Sequence, residues 1–183
     1  MPQTRKERNR WIAEERKYYL SGSPWGKLKQ IMAADPKCAV SAFQVTLRKE
    51  GYYHRRSGLI NKLCYFYYHR KRNKQGTRLG LEIWPETFAE GLRIEHAGNI
   101  VVNGHARVGK NCILHGSNCI GNDGFSSQCP VLGDNVRLGV GAKVIGNVTL
   151  ADNIVVAAGA VVVHSFEEPG ITIAGIPAKK VKG

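Results

Sequence analysis

The stretch VNGHARVGKNCILHGSNCI, residues 102–120, and its continuation VLGDNVRLGVGAKVIGNVTLADNIVVAAGAVVV, residues 131–163, place an aliphatic residue at every sixth position. Val102, Val108, Leu114 and Ile120 hold that position, and Leu132, Leu138, Val144, Leu150, Val156 and Val162 resume it. Four places later comes a companion slot, which reads Ala106, Cys112, Asn118, Val136, Ala142, Val148, Ile154 and Ala160. A period of six matches neither a helix nor a two-sided strand, and self-similarity at a fixed short period is the mark of a stacked coil. The pattern predicts a parallel β-helix in which each hexad is one short strand and a corner, and three hexads make one turn of a triangular prism. Aliphatic and small residues fill the prism, and polar residues such as Asn111, Asn135 and Asp152 take the bends.

Outward from this core, Leu81 opens the coil, and Ile83, Phe88, Ile94 and Ile100 approximate its period before a two-residue slip at Val101–Val102 sets the later register. Between Ile120 and Leu132 the length of two hexads survives but the residues GNDGFSSQCPV do not, so 121–131 is expected to be a loop thrown out from the prism. Irregular loops on a rigid coil are where chemistry usually sits. A tail, 166–183, begins at Phe166, is released by Glu167-Glu168-Pro169-Gly170 and closes with ITIAGIPAKKVKG.

The remainder, 1–78, differs in kind. It carries 19 Lys plus Arg against 5 Asp plus Glu, net +14, whereas 79–183 carries 8 against 9, net −1. All seven tyrosines and two of the three tryptophans lie in this first part. Trp25, Leu28, Ile31 and Met32 have amphipathic helical spacing, Asp35-Pro36 interrupts it, and Ala39, Phe43 and Leu47 suit a second helix. A third run, Leu59 to Tyr68, ends in HRKRNKQG, which reads as a helix stop and linker. Three roles suit such a segment: a helical cap that packs in an oligomer with a solvated basic face, docking on an anionic membrane surface, and nucleic-acid binding. The last is set aside, because no recognised nucleic-acid module accompanies the charge.

Five cysteines, Cys38, Cys64, Cys112, Cys119 and Cys129, lack the paired spacing of a metal site or a secreted framework, so no metal is expected. Reduced thiols, an opening MPQTRKERNR unlike a signal peptide, and no apolar run long enough to span a bilayer place the chain in the cytoplasm.

Among residues able to carry chemistry, His96 stands first. It follows Ile94 in EIWPETFAEGLRIEHAGN, with Glu82 and Glu95 in reach of the same turn. A carboxylate on one imidazole nitrogen fixes the tautomer and leaves the other free to accept a proton, the layout of a general base. An exposed or structural histidine is the competing reading. His105 and His115 suit outward slots beside a site, and Cys129, next to Gln128 and Pro130, has no neighbour that would stabilise a thiolate, so it lines a pocket rather than attacks.

These residues carry a resemblance. The hexads, EIWP followed by IEHAGN, the run LGDNVRLGVGAKVIGNVTL and the closing GIPAKKV resemble the serine acetyltransferase branch of the left-handed β-helix, hexapeptide-repeat acyltransferases. Within it, ILHGSNCIGNDG and CPVLGDNVRLG are similar to the colanic-acid and capsular-polysaccharide O-acetyltransferases. The resemblance implies a left-handed coil, a homotrimer, and acetyl-CoA in the groove between neighbours as co-substrate. It implies His96 as base with Glu82 orienting it, Asn122, Val140 and Ala158 lining the CoA groove, and Lys179 and Lys180 at the CoA phosphates. Glu95, His115, Gln128 and Cys129 would surround the acceptor. The branch's carboxylate-binding Arg-His pair is replaced by Gln128 and Cys129, and glutamine cannot supply an arginine's charged fork. The expectation is therefore transfer of acetyl to a saccharide hydroxyl, a surface-polysaccharide precursor that is free or lipid-linked, at the inner face of the membrane. A serine acetyltransferase anchored through Arg93 or Arg107, and a coil without catalysis, are the alternatives.

Overall fold

The computed structural model describes residues 2–182 and divides into two compact units, Met1–Leu79 and Gly80–Gly183.

The second unit is a left-handed parallel β-helix. Its strands are β1 (Leu81–Ile83), β2 (Arg93–Ile94), β3 (Ile100–Val102), β4 (Arg107–Val108), β5 (Ile113–Leu114), β6 (Cys119–Gly121), β7 (Val131–Leu132), β8 (Arg137–Leu138), β9 (Lys143–Ile145), β10 (Thr149–Leu150), β11 (Val155–Val156), β12 (Val161–Val162), β13 (Thr172–Gly175) and β14 (Ala178–Lys182). They form three faces: a five-stranded one ordered β1-β3-β6-β9-β12, a three-stranded one ordered β10-β7-β4, and a six-stranded one ordered β14-β13-β11-β8-β5-β2. All pairs are parallel except β13–β14, so residues seventeen to twenty-four apart stack in columns along the prism. Both slots of the hexad point inward: Val102, Leu114, Leu138 and Val156 are fully buried, as are Ala106, Cys112, Asn118, Val136, Ala142 and Ile154.

Each kind of corner has its own chemistry. Where the three-stranded face turns into the six-stranded one, Asn111, Asn135 and Asn153 adopt φ of +55°, +58° and +62°, a conformation that asparagine tolerates better than most side chains. Their amides link in a ladder, Asn111 Nδ2 donating to Asn135 Oδ1 and Asn135 Nδ2 to Asn153 Oδ1, each at 3.0 Å. Beside them Asp134 and Asp152 accept the backbone N–H of Lys110 and Asp134, both at 2.7 Å. Gly91 heads this column because a Cβ there would lie 2.3 Å from Asn111 Oδ1.

Two features break the period. The corner from the six-stranded to the five-stranded face takes five steps in three rungs, from Leu114 to Cys119, Leu138 to Lys143 and Val156 to Val161. In the first rung it takes seven, from Ile94 to Val101, so the expected slip at Val101–Val102 lies instead at 95–99, which contains His96. At the corner from the five-stranded to the three-stranded face, residues 122–130 leave the coil; Gly121 and Val131 remain in strands. The tail is also more ordered than the sequence suggests. Phe166 still bridges to Leu150, and β13 joins the six-stranded face before turning back as antiparallel β14.

The first unit holds α1 (Arg5–Arg16), α2 (Pro24–Met32), α3 (Pro36–His54) and α4 (Leu59–Leu79). Trp11, Val40, Phe43 and Leu47 are buried. HRKRNKQG is not a linker but the second half of α4, a correction with a clear cause. Lys, Arg and Gln are good helix formers, and Arg72 is held in the interior by Glu50 at 2.6 Å, while Glu50 also meets His69 Nδ1 at 2.8 Å. A second buried pair joins Arg48 to Glu15 at 2.6 Å, with the Arg48 guanidinium 5.0 Å from the Trp11 ring centre. Part of the positive charge that the sequence assigned to a solvated face therefore organises this core. Among the described residues no helix is long and apolar enough to cross a membrane.

Candidate active site

β2 delivers the chain to the bulged corner, where Glu95 and His96 follow the inward-pointing Ile94. Register then places the outer rungs directly beneath. Because Ile94 pairs with Leu114, Leu114 with Leu138, and Leu138 with Val156, residues His96, Gly116, Val140 and Ala158 fall into one column. Continuing through Val156 opposite Ile173, the column reaches Gly175 in β13. Neighbouring rungs lie about 4.8 Å apart, so His96 and Gly175 are roughly 19 Å from each other along the edge. Gly116 sits immediately under the histidine: a Cβ there would lie 3.3 Å from His96 O and 3.4 Å from His96 Cβ. The imidazole is exposed, while Val140 is 53% exposed and Ala158 is also open. Lys179 stands opposite Ala174 at the far end of this edge.

Asn118 underpins the corner. It is fully buried in a slot that is otherwise apolar, where an unpaired amide would be costly. Its Oδ1 accepts the Gly116 N–H at 2.9 Å, and its Nδ2 donates to Gly139 O at 2.7 Å and Ala142 O at 3.3 Å, tying the floor beneath His96 to the next rung. Asn118→Ala is expected to lower stability by about 2 kcal/mol, since it strands a buried N–H. Urea unfolding checks this; an unchanged midpoint would mean that the amide is not under load.

Other expected partners are arranged differently. Glu82 is exposed on the outer side of β1 opposite Val101, on the five-stranded face rather than at the corner. Among the described residues its carboxylate makes no hydrogen bond to His96, so the anticipated orienting pair is not formed within the chain. Glu95 instead binds Arg93 Nε at 2.5 Å, and its backbone neighbour across the rung is the half-buried His115. Lys180 is engaged by Glu168 at 2.7 Å, which leaves Lys179 as the lysine outside that ion pair.

Asn122, Gln128 and Cys129 lie at the opposite edge of the five-stranded face, in the extruded loop. There Asn122 Nδ2 donates to Ser126 O at 2.7 Å, and Asp123 Oδ1 accepts the N–H groups of Ser126 and Phe125 at 2.9 and 3.0 Å. These two bonds hold the Asp123 carboxyl below its ordinary range. Burial raises the Cys129 thiol, against a hydrogen bond from the Asn122 backbone and the positive charge of Arg107, so at neutral pH it is a protonated thiol and a poor nucleophile.

That guanidinium is the residue underweighted in the sequence. Arg107 begins β4 opposite Val131, and its Nη1 donates to Gly104 O at 3.0 Å and Ala106 O at 2.8 Å. Nε and Nη2 stay outside those bonds. A fixed arginine thus stands beside the loop from which the expected Arg-His pair is missing. Register alone, with His105 falling across from Cys129, was the signal that could have found it.

Among the described residues no group of three or more His, Cys, Asp or Glu side chains could hold a metal ion.

A left-handed coil of hexads with a histidine at one bulged corner and a loop extruded at the next is the fold of the hexapeptide-repeat acyltransferases of serine acetyltransferase type. The chain is 33% identical over 105 residues to the serine acetyltransferase of Synechococcus elongatus, covering 56% of this chain and 43% of that protein. It is 34% identical over 106 residues to the serine acetyltransferase of Staphylococcus xylosus, covering 56% and 49%. The match therefore spans a little under half the length of these curated relatives. No family model matches the chain. Among solved structures, serine acetyltransferase from Brucella abortus superposes with a TM-score of 0.76 at 20% identity, over 97% of this chain and 70% of that one. A serine acetyltransferase in complex with CoA does so with a TM-score of 0.69 at 19% identity, over 97% and 71%. At such identities the structural likeness carries the fold alone.

These findings overturn the expected saccharide acceptor and, with it, the polysaccharide branch, because the relatives are named serine acetyltransferases. The inference had rested on Gln128 and Cys129 as lost charge. That local reading leaves out Arg107, whose positive charge reaches Cys129 from the adjacent strand.

Proposed function

We propose that this protein transfers acetyl from acetyl-CoA to the hydroxyl of L-serine. The observation that carries the reading is the single column in which His96 stands over Gly116, Val140 and Ala158. Such an edge suits an extended thioester whose pantetheine amides pair with exposed backbone, with the thioester at His96 and the phosphates toward Lys179. His96 accepts the hydroxyl proton as the serine oxygen attacks the thioester carbon. Collapse of the tetrahedral adduct breaks the carbon–sulfur bond, and the imidazolium returns the proton to the CoA thiolate. In this reading Glu95, paired with Arg93, receives the serine ammonium, with His115 beside it. Arg107 takes the carboxylate through its unused edge, the bidentate geometry that arginine provides.

Assembly follows from the same geometry. His96 and Arg107 lie on opposite sides of the five-stranded face, so one small amino acid reaches both only when two coils meet edge to edge. A convex prism also lacks a deep cleft of its own, and a homotrimer supplies one at each junction. Glu82, on the face between, then lines the shared groove. Reduced cysteines agree with a cytoplasmic setting; all five are unpaired thiols.

Release of CoA thiol from acetyl-CoA is the direct test, with L-serine, glucose and a nucleotide sugar as acceptors. Serine-dependent release is expected, and release that is absent or indifferent to serine overturns the proposal. Arg107→Gln should raise the KM for serine about 10- to 100-fold, the worth of a hydrogen bond to a charged group, with the KM for acetyl-CoA unchanged. An unaltered serine KM would remove Arg107 as the anchor.

A further inference from the structure

α2 is mounted with its apolar side outward. Trp25, Leu28, Ile31 and Met32 recur at three- and four-residue intervals and so share one side of the helix, yet they are 74%, 45%, 66% and 79% exposed, and no residue of α2 is buried. The helix is instead fastened by its polar side. Gln30 Oε1 accepts the Ser21 N–H at 2.8 Å, and Gln30 Nε2 donates to Tyr19 O at 2.9 Å and Asp35 Oδ2 at 3.1 Å. Ser23 caps its start by accepting the Gly26 N–H at 3.0 Å. An amphipathic helix held this way has spent its polar contacts on its own protein and offers its apolar ridge to something else.

Charge indicates what that is. At 100° per residue, Lys27 and Lys29 fall on the two flanks of the apolar side. From Arg16 to Asp35 the sequence holds four cations, Arg16, Lys17, Lys27 and Lys29, against one carboxylate, Asp35; Lys17 is paired with Glu14 at 2.7 Å, and Lys27 and Lys29 are the cations on the helix itself. A second copy docking through the same side would set these lysines against their own equivalents, because a two-fold contact is isologous. An anionic partner removes that conflict. The surface is moreover a convex ridge about 13.5 Å long, with tryptophan at its start. A fluid headgroup layer accepts a ridge of this shape without a matching groove, and tryptophan favours that layer.

We propose that α2 is an interfacial anchor: Trp25, Leu28, Ile31 and Met32 enter the headgroup layer of an anionic bilayer while Lys27 and Lys29 meet lipid phosphates. The inference is independent of the acetyl-transfer reading. A single short helix binds weakly, and an assembly that presents several copies multiplies the effect. Each lysine contributes about fivefold at low salt, and that share fades as the Debye length shortens.

The test is flotation of the full chain with vesicles of phosphatidylglycerol and phosphatidylcholine in equal parts, against phosphatidylcholine alone, at 50 mM and 500 mM NaCl. Binding to the anionic vesicles at low salt is expected. The combined variant Trp25→Ser, Ile31→Ser, Met32→Ser should lower it at least tenfold, and Lys27→Glu with Lys29→Glu about 25-fold or more. All these side chains are exposed, so circular dichroism and thermal unfolding should match the parent. Binding by the serine variant equal to the parent would overturn the proposal in favour of another part of the basic unit. Absence of vesicle binding together with a smaller assembly in the serine variant, measured by native mass, would overturn it in favour of a second copy as the occupant.

Discussion

His96→Ala should lower turnover with acetyl-CoA and L-serine by about 10²-fold or more, the usual worth of a general base. The structure makes this a clean experiment. His96 is exposed on a bulged corner, outside the fully buried hexad columns, so its loss should leave the core and the unfolding transition unchanged. On the proposed mechanism the base acts on serine, so the loss should fall on kcat rather than on the KM for acetyl-CoA. His115 provides the internal comparison, since it lies in the adjoining rung opposite Glu95, one position away from the column that holds His96. If His115→Ala proves the more damaging of the two, the base has been assigned to the wrong rung. Turnover by His96→Ala within threefold of the parent would remove general-base catalysis at this corner altogether.

The second large effect is recovery rather than loss. Chains carrying His96→Ala and chains carrying Arg107→Glu are each expected to be nearly inactive at low serine, the first without its base and the second repelling the substrate carboxylate. Unfolded and refolded together in equal amounts, they should regain activity, with about one site in four intact if each site draws its histidine from one coil and its arginine from the next. His96 and Ala158 would be a poor pair for this purpose, because register sets them in one column of a single chain. No recovery in mixed assemblies of confirmed mass would mean that both residues serve the site from the same chain. The five-stranded face would then itself be the floor of the site, with Glu82, Val101 and Cys119 beneath the substrate.

The sequence-based reading of the acceptor shows how a local pattern misleads. Along the chain, Gln128 and Cys129 in the extruded loop look like a lost carboxylate clamp. Within a coil, however, residues some two dozen positions apart are neighbours, and Arg107 lies beside that loop through the pairing of β4 with β7. A loop motif therefore does not report the charge around it. The basic segment teaches the same lesson: counted along the chain, its arginines imply a solvated or lipid-facing surface, yet Arg48 and Arg72 are spent inside on Glu15 and Glu50. What distinguishes α2 is not its charge but that its apolar side is left uncovered while its polar side is tied down.

The β-helix and its inward residues were legible from periodicity, because a coil of short strands and corners buries the aliphatic and small positions of every hexad together, whichever its hand. The asparagines at the bends were legible too, since few other side chains accept a positive φ. The hand of the coil was not: the general crossover preference favours the right-handed form, and only the resemblance pointed to the left. His96 could be singled out as a candidate, but its place above Gly116, Val140 and Ala158 could not, because a column is set by strand register and by the two extra residues at 95–99. The missing bond between Glu82 and His96, the ion pair that occupies Lys180, the amide of Asn118 beneath the corner and the approach of Arg107 to Cys129 all belong to this second kind. Each depends on which rung and which face a residue occupies, and that is fixed only when the rungs stack.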